Sequence, residues 1–420
     1  METPTNTSSI PANTDTQPQE TAMGSNEPQK RTFTAPPKTL AGWVTRYPIR
    51  GDFNDGARIQ IEEWAEDDYR VVITDLSSGL VIYAMDVPKG AIIATIKKYY
   101  VPYKIDVYRK GELDRPVFTT FNDLKDKEVL LEFPIGALGD TIAWFSYAER
   151  FQKKHGCRLK LAMQTELADL FRKQYPEMEF ITHEDAAKEM PYATYRLGLY
   201  FKGDIDHQPV DFRKTGLHHA IGYQLGLDEE IGDEPPRVDL SAERKIAEKY
   251  VVIATKGSSQ AKLWNNPQGW REVIAALKDN GYRVLCIDKE RETGAGIIWN
   301  AMPYGAEDFT GNRPLQERID LIKDADAFIG LSSGLSWLAW CCRVPIVMIS
   351  GFTEPFNEFK CHRVQNRHVC HGCWNDTRAE FDHGDYLWCP FQEGNARFEC
   401  TRAITSQMVL EKVKEALEEK

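Results

Sequence analysis

The chain has no apolar run near the length of a membrane span, and its N-terminus has no basic flank leading into an apolar stretch. A spanning helix needs about 20 predominantly apolar residues, and a secretory leader needs that charged-then-apolar order. A cytoplasmic protein with no membrane span is therefore expected. A surplus of positive charge is also missing: 52 Lys and Arg stand against 63 Asp and Glu, a net charge of −11. Proteins that grip nucleic acid through its phosphates carry the opposite balance, so no nucleic-acid partner is expected. The nine cysteines are odd in number and spread through a 420-residue chain, which argues against a disulfide framework. Large apolar side chains are almost absent from residues 1–39, and such a segment is expected to stay a disordered polar tail.

What is present is 42% hydrophobic, enough for a large core split into two or three domains. Residues 40–127 carry short alternating runs such as Tyr69-Arg70-Val71-Val72-Ile73 and Lys104-Ile105-Asp106-Val107-Tyr108, punctuated by Asn54-Asp55-Gly56 and Lys110-Gly111. This period-2 pattern predicts a β-rich domain, a small sandwich or barrel. From 128 the grammar becomes βαβ. Glu128 to Phe133 reads as a strand, Thr141 to Lys154 as a helix, Arg158 to Met163 as a strand, Tyr195 to Phe201 as a strand and Lys214 to Leu225 as a helix. An acidic connection follows, and a second series starts at strand Tyr250 to Thr255 and runs to strand Val344 to Ile349. Two doubly wound α/β domains, 128–240 and 241–360, imply a ligand cleft at the carboxyl ends of their strands.

Three loops at such strand ends carry candidate chemistry. Pro134 to Asp140 contains Gly136, Leu138 and Gly139, where glycines permit close backbone approach to a ligand. Asp140 follows at the helix start, either facing the cleft or acting as an N-cap. In the second domain, Thr255 to Trp264 offers hydroxyls and two lysines, Lys256 and Lys262, suited to a diphosphate; the alternative is a polar surface loop. Gly330 to Ser336 presents Ser332, Ser333, Gly334 and Leu335 at a helix start, where N–H groups and the dipole favour an anion. A simple serine cap is the alternative there.

The strongest local signal is C-x2-C-x15-C-x10-C, through Cys370, Cys373, Cys389 and Cys400. Four thiolates suit a closed tetrahedral site, and Gly372 suits the tight knuckle turn. The reading is a metal finger over 361–402 followed by a C-terminal helix over 403–420. Ligand identity leaves zinc and iron open, and Cys361, His362, His368, His371 and His383 lie near enough to substitute.

Together these motifs resemble the bacterial autotransporter heptosyltransferase family, relatives of the ADP-heptose lipopolysaccharide heptosyltransferases. The resemblance covers nearly all of the chain after the polar tail. It rests on Asp52 to Gly56, Phe133 to Asp140, Tyr147 to Phe151, Pro191 to Arg196, Gln208 to Lys214, Gln260-Ala261-Lys262 with Trp264-Asn265-Asn266, Gly305 to Gly311 and the cysteines. It implies an α/β fold of GT-B type, with two Rossmann-like domains after an N-terminal all-β domain. It implies transfer of heptose from ADP-heptose to serine hydroxyls of autotransporter adhesin passenger domains, one iron ion per chain in the finger (zinc as the alternative), and a dodecameric homo-oligomer. Asp140 is then the catalytic base, Lys262 a donor-phosphate contact and the Ser-Ser-Gly-Leu loop a further donor contact. The lipopolysaccharide enzymes read Asp-Thr-Gly-Leu-x-His where this chain has Ser332-Ser333-Gly334-Leu335-Ser336-Trp337, which favours the protein-modifying branch. The competing readings are a lipopolysaccharide-type heptosyltransferase and a non-enzymatic metal-finger scaffold.

Overall fold

The computed structural model describes residue 40 and residues 43–136, 138–201, 203–391 and 396–419. The tail expected over 1–39 lies outside the described residues. The described residues fall in one compact unit.

Two sheets form its frame, the first mixed and the second parallel. In the second, the order is Glu307–Asp308, Arg283–Cys286, Tyr250–Ile253, Ala327–Leu331, Ile346–Ile349 and His362–Val364, all parallel. The central strands read Tyr-Val-Val-Ile, Ala-Phe-Ile-Gly-Leu and Ile-Val-Met-Ile and are buried throughout. A parallel sheet covered on both faces requires such continuous apolar runs. His362–Val364, placed by sequence in the finger, is instead the edge strand of this sheet. The C-terminal helix Ser406–Glu418 packs back on the same sheet with Val409, Val413 and Ala416 buried, and Thr405 caps it.

The first sheet runs Glu179–Ile181, Arg158–Ala162, Glu128–Glu132, Ala193–Arg196, Ile49–Asn54, Arg58–Ile61 and Ile92–Ala94, with Trp43–Val44 paired to Ile49–Asn54. Here the arrangement differs from expectation. The strands anticipated over 40–127 exist, but they divide between two sheets. Ile49–Asn54 lies parallel to Ala193–Arg196 and carries its neighbours into the first α/β sheet. Leu80–Val87, Tyr69–Asp75, Tyr103–Arg109 and Phe118–Phe121 form a separate antiparallel sheet. Period-2 alternation marks a strand but not its partner.

Two helical and strand boundaries also moved. The helix expected over 214–225 is broken into Phe212–Thr215 and His219–Gln224. Gly216 sits between them at φ 89°, and a Cβ there would lie 2.3 Å from the carbonyl oxygen of Phe356 in the second lobe. Strand Ala193–Arg196 ends before Leu197. Beyond it, Gln224 Nε2 donates to the Gly198 carbonyl at 2.6 Å and Gln208 Nε2 to that of Tyr200 at 2.6 Å, so side chains replace a neighbouring strand.

The helix Leu138–His155 carries the first lobe. Its residues Thr141 to Ala148 are buried without a break, and Phe145 stacks on Phe171 at 3.8 Å. Lys153, Lys154 and His155 close it, where cations complement the helix dipole. Yet His155 lies between Tyr100 and Phe151, at ring distances of 4.7 and 4.5 Å, and burial, with a lesser push from Lys154, holds its imidazole down at about 4. The unfolded chain takes up that proton near pH 6.5, so between those values it binds more protons than the folded one. His155→Phe should therefore flatten the fall of Tm between pH 6.5 and 4 measured by thermal melts; a slope equal to that of the wild type would contradict this assignment.

Candidate active site

A cavity of about 1250 Å³ opens where the loops after the parallel strands of both sheets converge. The loop after Glu128–Glu132 supplies Leu138, Gly139 and Asp140, and the loop after Arg158–Ala162 supplies Gln164. From the second lobe come Lys256 to Ser258 and Lys262, Asp288 to Glu290, Ser332 to Leu335, and Phe352 to Glu358 in part. This is the position at which open α/β sheets bind ligands.

The two lobes touch at the N-termini of two helices, Leu138–His155 and Gly334–Cys341. A Cβ on Gly139 would stand 3.0 Å from Trp337 Cδ1 and 3.3 Å from the Gly334 Cα. One on Gly334 would stand 3.0 Å from the Leu138 Cβ and 3.1 Å from the Gly139 nitrogen. A side chain at either position would be tighter than ordinary packing allows, so the two glycines favour this approach. It sets Asp140, in the first turn of its helix, beside the start of the other helix and near Lys262.

Lys262 is half-buried in the cavity wall. Desolvation lowers its pKa, and the negative charges of Asp140 and Glu358 oppose that shift. Its ammonium lies 5.9 Å from the Phe352 ring centroid, and no hydrogen-bond partner is drawn to it among the described residues. Burial also lowers the Lys256 pKa, but that ammonium is engaged by the carbonyls of Asn300 and Ala301 at 2.7 and 2.8 Å. Both carbonyls belong to the hairpin Glu292–Ala295/Ile298–Ala301, which the sequence reading did not foresee.

The serine loop behaves unequally. Ser333 precedes the helix in an extended conformation, yet its hydroxyl makes no capping bond and is buried without a partner. The capping alternative is thus not realised, and the helix-start N–H groups of Gly334 and Leu335 border the cavity. The Ser332 hydroxyl donates to Glu358 at 2.5 Å. Glu358, itself buried, also accepts from Asn357 at 2.8 Å, from Thr353 at 3.2 Å and from Arg363. Sequence reasoning missed this carboxylate. Its one signal was an acidic side chain in the aromatic stretch Phe352 to Phe359 directly after a strand.

Two anticipated contacts lie away from the cavity. Thr255 is behind the wall, 3% exposed, with its N–H and hydroxyl on Asp288 at 2.9 and 2.8 Å. Gly136 is exposed and donates its N–H to Gln164 at 3.3 Å.

The four finger cysteines gather behind Phe352. Cys389 and Cys373 pack with Trp388 and Phe398 in one apolar cluster, and Cys400 packs its backbone on Gly351. Cys370 and Cys400 hydrogen-bond through their sulfurs, which holds the Cys370 thiol down at about 6 and pushes that of Cys400 far up. Burial first, and then the neighbouring Cys389 and Cys370, raise Cys373 to about 12. Thiols that oppose one another's ionisation in this way suit a cation that would neutralise them. Among the described residues, however, the set of three ligand atoms lying mutually within 4.8 Å is His218, His219 and Asp233, not the cysteines. Both imidazole Nε2 atoms of that set share one Asp233 oxygen, at 2.7 and 3.0 Å. The other ring nitrogen of His218 is buried with no partner. A metal on Nε2 would leave a proton on that nitrogen with no acceptor, against the usual support of metal-bound histidine. The set is a hydrogen-bonded clamp between the acidic connection and the first lobe.

Glu358 and Arg363 form a buried pair, with side chains 1% and 9% exposed. Glu358→Gln leaves the guanidinium without its counter-charge, and breaking such a pair costs about 3 kcal/mol. The urea midpoint should fall accordingly, and an unchanged midpoint would show that the pair contributes nothing.

Comparison with known proteins bears on the fold and the family. Residues 211–383 match the family model of glycosyltransferase family 9 (heptosyltransferase), and residues 47–111 match that of the N-terminal domain of glycosyltransferase TibC. The chain is 51% identical over 360 residues to autotransporter heptosyltransferase Aah of Escherichia coli, covering 85% of this chain and 90% of Aah. The crystal structure of TibC, a dodecameric iron-containing heptosyltransferase in complex with an ADP-heptose, superposes with a TM-score of 0.86 at 48% identity, covering 92% of this chain and 99% of that one. A more distant relative, at 36% identity over 92% of this chain and 89% of its own length, is the inactive autotransporter heptosyltransferase BimC of Burkholderia thailandensis.

Proposed function

This chain belongs to the autotransporter heptosyltransferases, a family of glycosyltransferases, and from that premise we propose that it moves heptose from ADP-heptose to serine hydroxyls of autotransporter adhesins with inversion at the anomeric carbon. The observation that carries this reading is the meeting of Asp140 and Lys262 across two helix N-termini in one cavity. A lipopolysaccharide acceptor and a non-enzymatic scaffold both give way to it, because the relatives at about half identity are named autotransporter heptosyltransferases.

A serine hydroxyl is a weak nucleophile. Asp140 takes its proton as the oxygen attacks the anomeric carbon from one face. The bond from that carbon to the phosphate oxygen breaks on the other face, and its electron pair leaves with ADP. Lys262 meets the growing negative charge. Its ammonium is desolvated, so the interaction is stronger than it would be in water. The N–H groups at the start of Gly334–Cys341 add donors at the edge of the cavity. A direct displacement of this kind inverts the centre.

The relative TibC is described as iron-containing and dodecameric, and both properties belong to the same reading of this chain. Cys370, Cys373, Cys389 and Cys400 would hold the ion. A closed four-thiolate site supplies a cross-link and leaves no open coordination position for chemistry. The proposed layout is a β-rich segment over 40–127 that shares strands with an acceptor-side domain over 128–240, a donor domain over 241–360 that takes in the edge strand His362–Val364, and the finger over the rest of 361–402. No helix among the described residues is long and apolar enough to cross a membrane, and we place the enzyme in the cytoplasm, where ADP-linked sugars are at hand.

The chain, mixed with ADP-heptose and an adhesin passenger domain, should add heptose masses to the passenger in a mass spectrum. Asp140→Asn should lower that transfer by about 10³-fold, within the range general-base removal gives, while Tm and ADP-heptose affinity by calorimetry stay near wild type. Transfer at the wild-type rate would remove Asp140 as the base. No transfer by the wild type would place the chain with BimC rather than with TibC and Aah.

A further inference from the structure

The finger does more than brace the second lobe: part of it lines the cavity. Trp374, Phe381 and His383 lie between the second and third cysteines in sequence, yet all three border the cavity. Their rings form one aromatic group. Trp374 lies 5.2 Å from Phe381 at 80°, and Phe381 lies 4.6 Å from His383 at 88°. Phe352 joins them to the donor loop, 5.6 Å from both Trp374 and Phe381, with the Lys262 ammonium 5.9 Å from its centroid. The wall is held by backbone as well as by packing. The Gly372 N–H donates to the Gly351 carbonyl at 2.8 Å, and that of Trp374 to the Phe352 carbonyl at 3.1 Å. Tyr386, also in this loop, accepts the Gln260 N–H at 2.9 Å, two residues before Lys262.

This arrangement gives the cavity two chemically different walls around Lys262. Beyond the loop of Lys256 stands Glu290, an exposed carboxylate near the end of a second-lobe strand, where a nucleoside's ribose hydroxyls find an acceptor. On the other side the aromatic wall begins beside the ammonium itself. A diphosphate gripped by Lys262 has its sugar at one end and its nucleoside at the other, so one of them must meet the rings. A pyranose ring presents a face of weakly positive C–H groups, and aromatic faces are negative. Its hydroxyls point outward, toward polar groups elsewhere in the cavity.

We propose that the loop between Cys373 and Cys389 forms part of the sugar subsite, with Trp374 and Phe381, edged by His383, packing against the C–H face of the transferred heptose. The inference rests on the reading of the chain as an ADP-heptose-dependent transferase. It makes the finger a specificity element as well as a brace, because the same loop carries the wall and two of the thiols.

The test is calorimetry on the metal-loaded full chain with ADP and with ADP-heptose, for Phe381→Leu and for His383→Ala. His383 is exposed, so its truncation spares the fold even if that of Phe381 does not. The expected result is a rise of about tenfold in the ADP-heptose Kd for Phe381→Leu and a smaller rise for His383→Ala, with the ADP Kd within twofold and metal content unchanged. Equal weakening of both nucleotides would put the adenine against the wall and overturn the proposal, as would two unchanged affinities. A wild-type chain that binds ADP but gains nothing from the heptose would instead bring down the transferase reading on which the proposal stands.

Discussion

Two helices from different lobes meet end to end at Gly139 and Gly334, and the cavity exists in its present form because neither position has a side chain. Helix N-termini carry partial positive charge and repel when they face each other. The contact is tolerated because the apolar surfaces of Leu138 and Trp337 close around it. A second glycine contact, Gly216 against Phe356, joins the same two lobes further along. The positive ends of both helices are thereby aimed at one small volume. That volume favours an anion, and Asp140 enters it from the first lobe with Lys262 facing it from the second.

The electrostatics follow from that geometry. A lysine with no hydrogen-bonding partner among the described residues is costly in a desolvated wall, and burial lowers its pKa accordingly. A phosphate arriving there relieves the cost. Glu358 works behind the surface: it collects Ser332, Thr353, Asn357 and Arg363, and so fixes the loops that frame Lys262. The Ser332 hydroxyl is engaged by this network and that of Ser333 is buried, which leaves the backbone N–H groups of the helix start as the loop's donors toward the cavity.

The α/β frame was legible in sequence wherever burial leaves a mark. Tyr250–Ile253 and Ile346–Ile349 are unbroken apolar runs because both their faces are covered. Asp140, Lys262 and Ser332 to Leu335 were legible because they sit in loops directly after such strands. What depends on distant partners was not. Thr255 looked like a ligand contact, but its hydroxyl belongs to Asp288, 33 residues further on. Glu358 joins residues from two loops and the edge strand His362–Val364, and no local pattern announces that. The β-strands of 40–127 were recognised as strands, yet their division between two sheets is decided by pairing with Ala193–Arg196, far along the chain. Trp374, Phe381 and His383 of the finger border the cavity, and nothing in the cysteine spacing announces that.

The central claim is that the approach of two helix starts, and not the presence of the reacting groups alone, makes the site work. Gly334→Ala tests it most directly. Alanine is the better helix former by about 1 kcal/mol, so Tm should hold or rise slightly. The added methyl would stand 3.0 Å from the Leu138 Cβ and 3.1 Å from the Gly139 nitrogen, so the facing helix start must give by a few tenths of an ångström. Displacements well under 1 Å suffice to lower a rate by tenfold or more. The account predicts at least a tenfold loss of kcat for heptose transfer at unchanged Tm; a variant that transfers heptose at the wild-type rate would contradict it.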